Sequence, residues 1–238
     1  MFNSKVFLAE FIGTFALVFI GMGAGIVTSA NVVGIAIAYG LTLAVFVYIY
    51  GHISGAHLNP AVTFGLALNG SVKWLQAVFY WLAQFAGAIL AVFFLKTVVE
   101  SLGADIGKMV TSGILTDPHP IMAMVLEAVL TFFLLNTILH TTVTGKGDVS
   151  ASWAIGATLA FTTMVSFLFT GDAMNPARTL AAAIFIAPSI TSIYTYVVFF
   201  FGPLLGSTLA VIVFNFFNNE VEEVGEEETE DEIEEAVE

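Results

Sequence analysis

Two short stretches of this chain carry residues suited to holding a small polar molecule without altering it. They are His52-Ile-Ser-Gly-Ala-His-Leu-Asn59-Pro60-Ala61-Val-Thr63 and Thr170-Gly-Asp-Ala-Met-Asn175-Pro176-Ala177-Arg178-Thr179. Asn is a strong helix N-cap, and Pro is favoured at the first helical position. Each motif therefore starts a helix at its Asn and leaves the side-chain amide at the positive end of the helix, able to donate. No Ser/His/Asp set, metal-ligand cluster or Gly-rich phosphate loop converges anywhere, which sets a membrane enzyme last among the alternatives. The four histidines, with His57 and His52 beside the first motif and His119 and His140 elsewhere, do not group with other ligands. No metal site and no cofactor are expected.

The motifs lie 116 residues apart, close to half the chain. Other features recur near that offset. Glu10-x-x-x-Thr14-Phe15 returns as Glu127-x-x-x-Thr131-Phe132, and Gly87-x-x-Leu90-Ala91 as Gly206-x-x-Leu209-Ala210. The chain thus reads as two related halves.

The elements that must position the motifs follow from hydropathy. A membrane helix needs about 20 mostly apolar residues. Six stretches qualify, at 6–30, 32–51, 72–99, 120–140, 150–169 and 191–217. The apolar pieces after Asn59 and Asn175 are long enough for only about half a membrane at about 1.5 Å per residue. Three spans per half is an odd number, so the halves insert with opposite orientation. Short segments at matching places in such an inverted repeat point to a site at the bilayer midplane, where both motif helices present their N-termini. The loops leading in are then non-helical at membrane depth, a state tolerated only where backbone is buried or lines a wet cavity.

Composition agrees. Of 238 residues, 58% are hydrophobic and 11% charged, and mean hydropathy is +0.94. A soluble domain is about 45–50% apolar and about 25% charged, so a soluble enzyme or a nucleic-acid binder is excluded. Net charge is −13, but twelve of the nineteen acidic residues fall between Glu220 and Glu238, leaving −1 for residues 1–219. The low pI belongs to a tail, 219–238, whose composition predicts disorder. With no cysteine there is no disulfide or thiolate chemistry. The apolar start reads as the first span and not as a cleaved signal.

The paired Asn-Pro-Ala boxes, the flanking Ser54-Gly55-Ala56-His57-Leu58 and Arg178, and the opening Ala9-Glu10-Phe11-Ile12-Gly13-Thr14 resemble the aquaporin, or major intrinsic protein, family over residues 1–218. The resemblance implies an all-α membrane protein with six transmembrane helices plus two re-entrant half-helices. One half is 1–110 with the half-helix from Asn59, and the other is 119–218 with the half-helix from Asn175. It further implies a pore in every protomer, a homotetramer in membrane lipid, and a passive channel that excludes protons and ions. The implied localisation is the plasma membrane with both termini cytoplasmic. Lys5, Lys73 and Lys146 on the terminal side, against Lys96 and Lys108, favour the same orientation.

Site residues carry over by distance from the boxes. Asn59 and Asn175 become the midplane donors, and Tyr39, Thr163, Asp172 and Arg178 the selectivity filter. Arg178 is the sole arginine, and a charge at membrane depth marks function by default. Strict water channels resemble an aromatic, His, small residue and Arg at these positions, and glycerol facilitators Trp, Gly, Phe and Arg. Here Thr163 in place of a bulky His suggests a wider opening, and Asp172 departs from both patterns. Thr179 and Ala183 stand where glycerol facilitators carry Asp and a basic residue, which favours water. Water is therefore the expected permeant, with glycerol or other small neutral solutes as the alternative. Glu10 and Glu127, inside spans at equivalent positions, are expected to accept bonds from loop backbone; a relay in a proton-coupled transporter is the competing role. His57 is expected to brace its loop, with pore lining as the second option.

Overall fold

The computed structural model describes residues 2–106, 119–143, 149–171, 174–186 and 193–218. All regular structure there is helical. α1 is Ser4–Val27, α2 Val32–Ser54, α3 Pro60–Leu68, α4 Trp74–Ser101, α5 Pro120–Val143, α6 Val149–Thr170 and α7 Pro176–Phe185. One α-helical turn, Ile193–Tyr196, runs directly into α8, Val197–Asn218. The six long helices are long and apolar enough to cross a membrane, and α3 and α7 are not. Asp172 and the tail 219–238 lie outside the described residues, as do 107–118 at the junction of the halves.

Local chemistry sets the boundaries. Asn3 caps α1 by accepting from Lys5 N at 3.0 Å, and Asn31 caps α2 by accepting from Gly34 N at 3.0 Å. α2 stops at Gly55, whose φ of 84° ends a helix without strain in the Cβ-less residue. α5 finishes in a wider π turn, Leu139–Val143, and α8 begins with another, Val197–Phe201. Pro203 follows the second of these and has no N–H to give the carbonyl four residues back, which disfavours regular α geometry there.

Each half packs in the same way. α1 lies against α4, and Gly87 lets α4 approach the Phe11 backbone; α5 lies against α8, where Gly206 approaches the Ala128 backbone in the same manner. The halves join along α2 and α6, which cross at Gly40 and Gly156; a Cβ on Gly40 would stand 2.6 Å from Gly156 O. Phe2 packs on Phe79 near the start of α4, and His140 near the end of α5 packs on Phe214 near the end of α8.

Burial is inverted relative to a water-soluble protein. Leu75, Phe93, Leu168 and Ile212 are exposed on the outside, while Glu10 and Glu127 are fully buried and Arg178 nearly so. An apolar exterior with polar residues inside is a multi-pass membrane bundle.

Candidate functional site

Asn59 and Asn175 stand at the N-termini of α3 and α7, each followed by its Pro and Ala. Each Oδ1 caps its own helix, accepting from Ala61 N at 2.9 Å and from Ala177 N at 3.0 Å. Each Nδ2 reaches the other half: Asn59 donates to Met174 O, and Asn175 to Leu58 O, both at 2.8 Å. This reciprocal pair locks the two half-helix ends together. A side-chain amide has two N–H donors, so one on each Asn remains for the cavity that both residues border. The two positive helix ends, about half a unit charge each, converge at the same place.

Behind each Asn a buried carboxylate holds the loop. Glu10 Oε1 accepts from Ser54 Oγ at 2.7 Å and His57 N at 2.9 Å, while Oε2 accepts from Leu58 N and Gln84 Nε2, both at 2.8 Å. Glu127 accepts from Thr170 Oγ1 and from Met174 N, the latter at 2.6 Å. Without these acceptors the loop N–H groups would be unpaired at membrane depth, at a cost of about 1–3 kcal/mol each. The first loop needs such bracing because Ala56 and Leu58 have φ of 48° and 51°, a region that side chains other than glycine rarely occupy.

His57 both braces and lines. Its Nδ1 lies 3.0 Å from Thr63 Oγ1, and its ring packs on Tyr80 with centroids 4.5 Å apart. Tyr80 in turn donates to Ser54 O at 2.7 Å. Gln84 Nε2 also donates to Thr63 Oγ1 at 2.8 Å. His57 borders the midplane cavity and also the vestibule beside it, which opens past Ser71, Gln76 and Ser152. Val47, Gly55, Leu66, Ile138 and Thr142 border both as well, so the two spaces form one passage.

On the other side of the Asn pair stand Tyr39 and Arg178. Arg178 Nε donates to Tyr39 Oη at 3.4 Å, and both border the midplane cavity. Elsewhere the cavity wall is mostly apolar, from Leu17, Val18, Leu43, Val62, Ile155 and Leu159. Among the described residues that border it, Arg178 is the one with a fixed charge. Thr163 is fully buried on α6 one turn beyond Leu159 and is not among the side chains bordering this cavity.

Several contributors escape motif reading. Gln84 and Tyr80 join Thr63 of the first motif to complete the first brace, and Ser207 Oγ ties α8 to the first half-helix by donating to Ala61 O at 2.8 Å. Gln84 and Ser207 do leave a trace in the sequence, as small or amide polar residues within otherwise apolar spans.

Six spans, two half-helices meeting end to end at mid-depth and a passage through them define a membrane channel with a site at the repeat interface. The chain belongs to the major intrinsic protein family: the model of that family, described as "Major intrinsic protein", matches residues 1–214. Its members are passive channels and not enzymes. Among relatives, the chain is 37% identical over 211 residues to "Glycerol uptake facilitator protein-like 6" of Lactiplantibacillus plantarum, covering 87% of this chain and 94% of the relative. It is 37% identical over 223 residues to "Probable aquaporin TIP2-1" of Oryza sativa, covering 88% and 86%, and 35% identical over 223 residues to "Aquaporin NIP2-3" of Zea mays, covering 91% and 70%. The fold matches the X-ray structure of the aquaglyceroporin from Plasmodium falciparum with a TM-score of 0.77 at 24% identity, over 89% of this chain and 95% of that one.

Proposed function

We propose that the protein is a passive channel for water that also admits small neutral solutes. The observation that carries this reading is the passage itself. The cavity's walls are mostly apolar, and the polar groups that border it include the Asn59 and Asn175 amides, with Arg178 and Tyr39 on one side and His57 and Thr142 toward the vestibule. Apolar walls do not replace an ion's hydration shell, and the convergent positive helix ends and Arg178 repel cations. A water that accepts from both Asn amides turns its own protons outward, which interrupts proton hopping along the file. Tyr39, Thr163, Asp172 and Arg178 are the proposed filter positions, in homotetramers in the plasma membrane with both termini cytoplasmic.

Glycerol as the main permeant is the second reading, favoured by the likeness to the Lactiplantibacillus plantarum protein whose name describes glycerol uptake. Proton coupling is less well supported: both oxygens of each buried Glu accept bonds from a loop or from the helix end that leads into it, and neither Glu is among the residues bordering the passage.

Stopped-flow light scattering on proteoliposomes tests the proposal. Fast osmotic shrinkage without proton conductance is expected. Background water flux with strong glycerol flux would assign the second reading, and solute uptake that collapses with a proton gradient would assign a transporter.

A further inference from the structure

The cavity wall contains an exchange of sizes between neighbouring helices that its repeat partner lacks. α1 presents Leu17 and Val18 to the cavity, and one turn on it carries Gly21, buried and without a side chain. That space is filled from α2. A Cβ on Gly21 would overlap Tyr39 Cε1 and Cζ and lie 2.5 Å from Cδ1, so the Tyr39 ring rests directly on the α1 backbone. From there its hydroxyl accepts from Arg178 Nε at 3.4 Å.

The repeat supplies the comparison. The offset that relates Glu10 to Glu127 takes Gly21 to Ile138, and the offset that relates Asn59 to Asn175 takes Tyr39 to Ile155. Ile138 and Ile155 both border the passage. The second half therefore fills this pair of positions with two medium side chains, and the first with none on α1 and a large one on α2.

We propose that Gly21 is a specificity-determining residue: its missing side chain makes the slot that holds the Tyr39 ring back, and so sets the width of the passage beside Arg178. The inference rests on the channel reading above. Tyr39 borders the cavity on one side and α1 on the other, so a side chain at position 21 moves the ring toward the cavity and Arg178. A narrower opening there obstructs a three-carbon polyol more than it obstructs water.

The test uses the full chain in proteoliposomes, with water and glycerol permeabilities read by stopped flow. Gly21→Ala is expected to lower the permeability of the largest solute that the unmodified protein passes by about tenfold, the low end for one methylene-sized change in a pocket. Gly21→Ala/Tyr39→Ala should return it to the level of Tyr39→Ala alone, because the displaced ring is gone. Gly21→Ala/Tyr39→Phe keeps the ring and should stay low. Unchanged permeabilities in Gly21→Ala would overturn the inference, as would a Gly21→Ala/Tyr39→Ala protein that remains as slow as Gly21→Ala. If vesicles with the unmodified protein were no faster than empty ones to water and to glycerol, the channel reading itself would fail, before any variant is compared.

Discussion

The two halves of the molecule share a backbone plan and differ in what they hang on it. Thr63 on α3 and Thr179 on α7 occupy equivalent positions, 116 residues apart. The Thr63 hydroxyl is met by Gln84 Nε2 at 2.8 Å and His57 Nδ1 at 3.0 Å, and donates to Asn59 O at 3.2 Å. The Thr179 hydroxyl is buried without a hydrogen-bond partner among the described residues. The sequence agrees: by the repeat offsets Gln84 corresponds to Pro203 and His57 to Ala173, neither of which has a side-chain donor. The charge is divided the opposite way. Arg178 corresponds to Val62, and both border the passage. The first half thus invests its polar groups behind the loop as scaffolding, and the second places a charge in front of it. A symmetric frame carries an asymmetric passage, with its charged side chain supplied by the second half alone among the described residues that border the cavity.

This division can be broken from either side. The largest effect is expected at Glu10. Glu10→Leu leaves four donors around it without their acceptor, at about 1–3 kcal/mol for each unpaired group. That sum is comparable with the whole stability of many domains. Little folded protein should elute in size-exclusion chromatography of detergent extracts, and a normal peak with a normal melting temperature would contradict the scaffolding role.

The Thr pair separates the halves more sharply. Thr63→Val takes one of two acceptors from Gln84 Nε2 and the partner from His57 Nδ1, and should cost about 2–6 kcal/mol, two unpaired groups at about 1–3 kcal/mol each. Thr179→Val removes a hydroxyl that has no partner among the described residues and should be neutral or slightly stabilising. Thermal melts of the two purified variants check this, and equal losses would mean that the two braces are not different in kind.

Arg178→Val, which makes the second half copy the first, should act on conduction more than on folding. A cation about 10 Å from the guanidinium at an effective dielectric constant of about 20 feels about 1.7 kcal/mol of repulsion, so cation leak should rise by more than about tenfold. Conductance of planar bilayers reads this directly, and an unchanged leak would leave the helix ends as the main barrier. The smallest effect is expected from Ser207→Ala, which removes one bond to Ala61 O and should lower stability by about 1 kcal/mol with water flux intact.

Much of the frame was legible in the chain. Six apolar stretches gave the spans with ends shifted by at most three residues; the last runs as continuous helix from Ile193 to Asn218, α-helical at first and then through a π turn at Val197–Phe201. The motif helices were readable because N-cap and Pro chemistry is local. The roles of His57 and Gln84 were less so. His57 turns out to brace and to line at once, since it stands where the vestibule narrows toward the midplane cavity, and no spacing rule reports that. Thr163, assigned to the filter by distance from Asn175, is placed by α6 in full burial away from the midplane cavity wall; its proposed filter role rests on the resemblance.

The sequence by itself determined the solvent and the symmetry. With 58% hydrophobic residues and a body of net charge −1, only a membrane can cover the outside of this chain, and an odd number of spans between two matching motifs forces their helices to point at each other. What only the tertiary structure decided is which partners each polar residue meets. The Asn59 and Asn175 amides each give a hydrogen bond to a carbonyl 115 or 117 residues away, and Tyr39 reaches Arg178 across 139 residues by resting on a glycine of another helix. Such contacts depend on helix rotation and on which side chains are absent from the facing helix, quantities that local periodicity does not encode in spans that are apolar nearly all round.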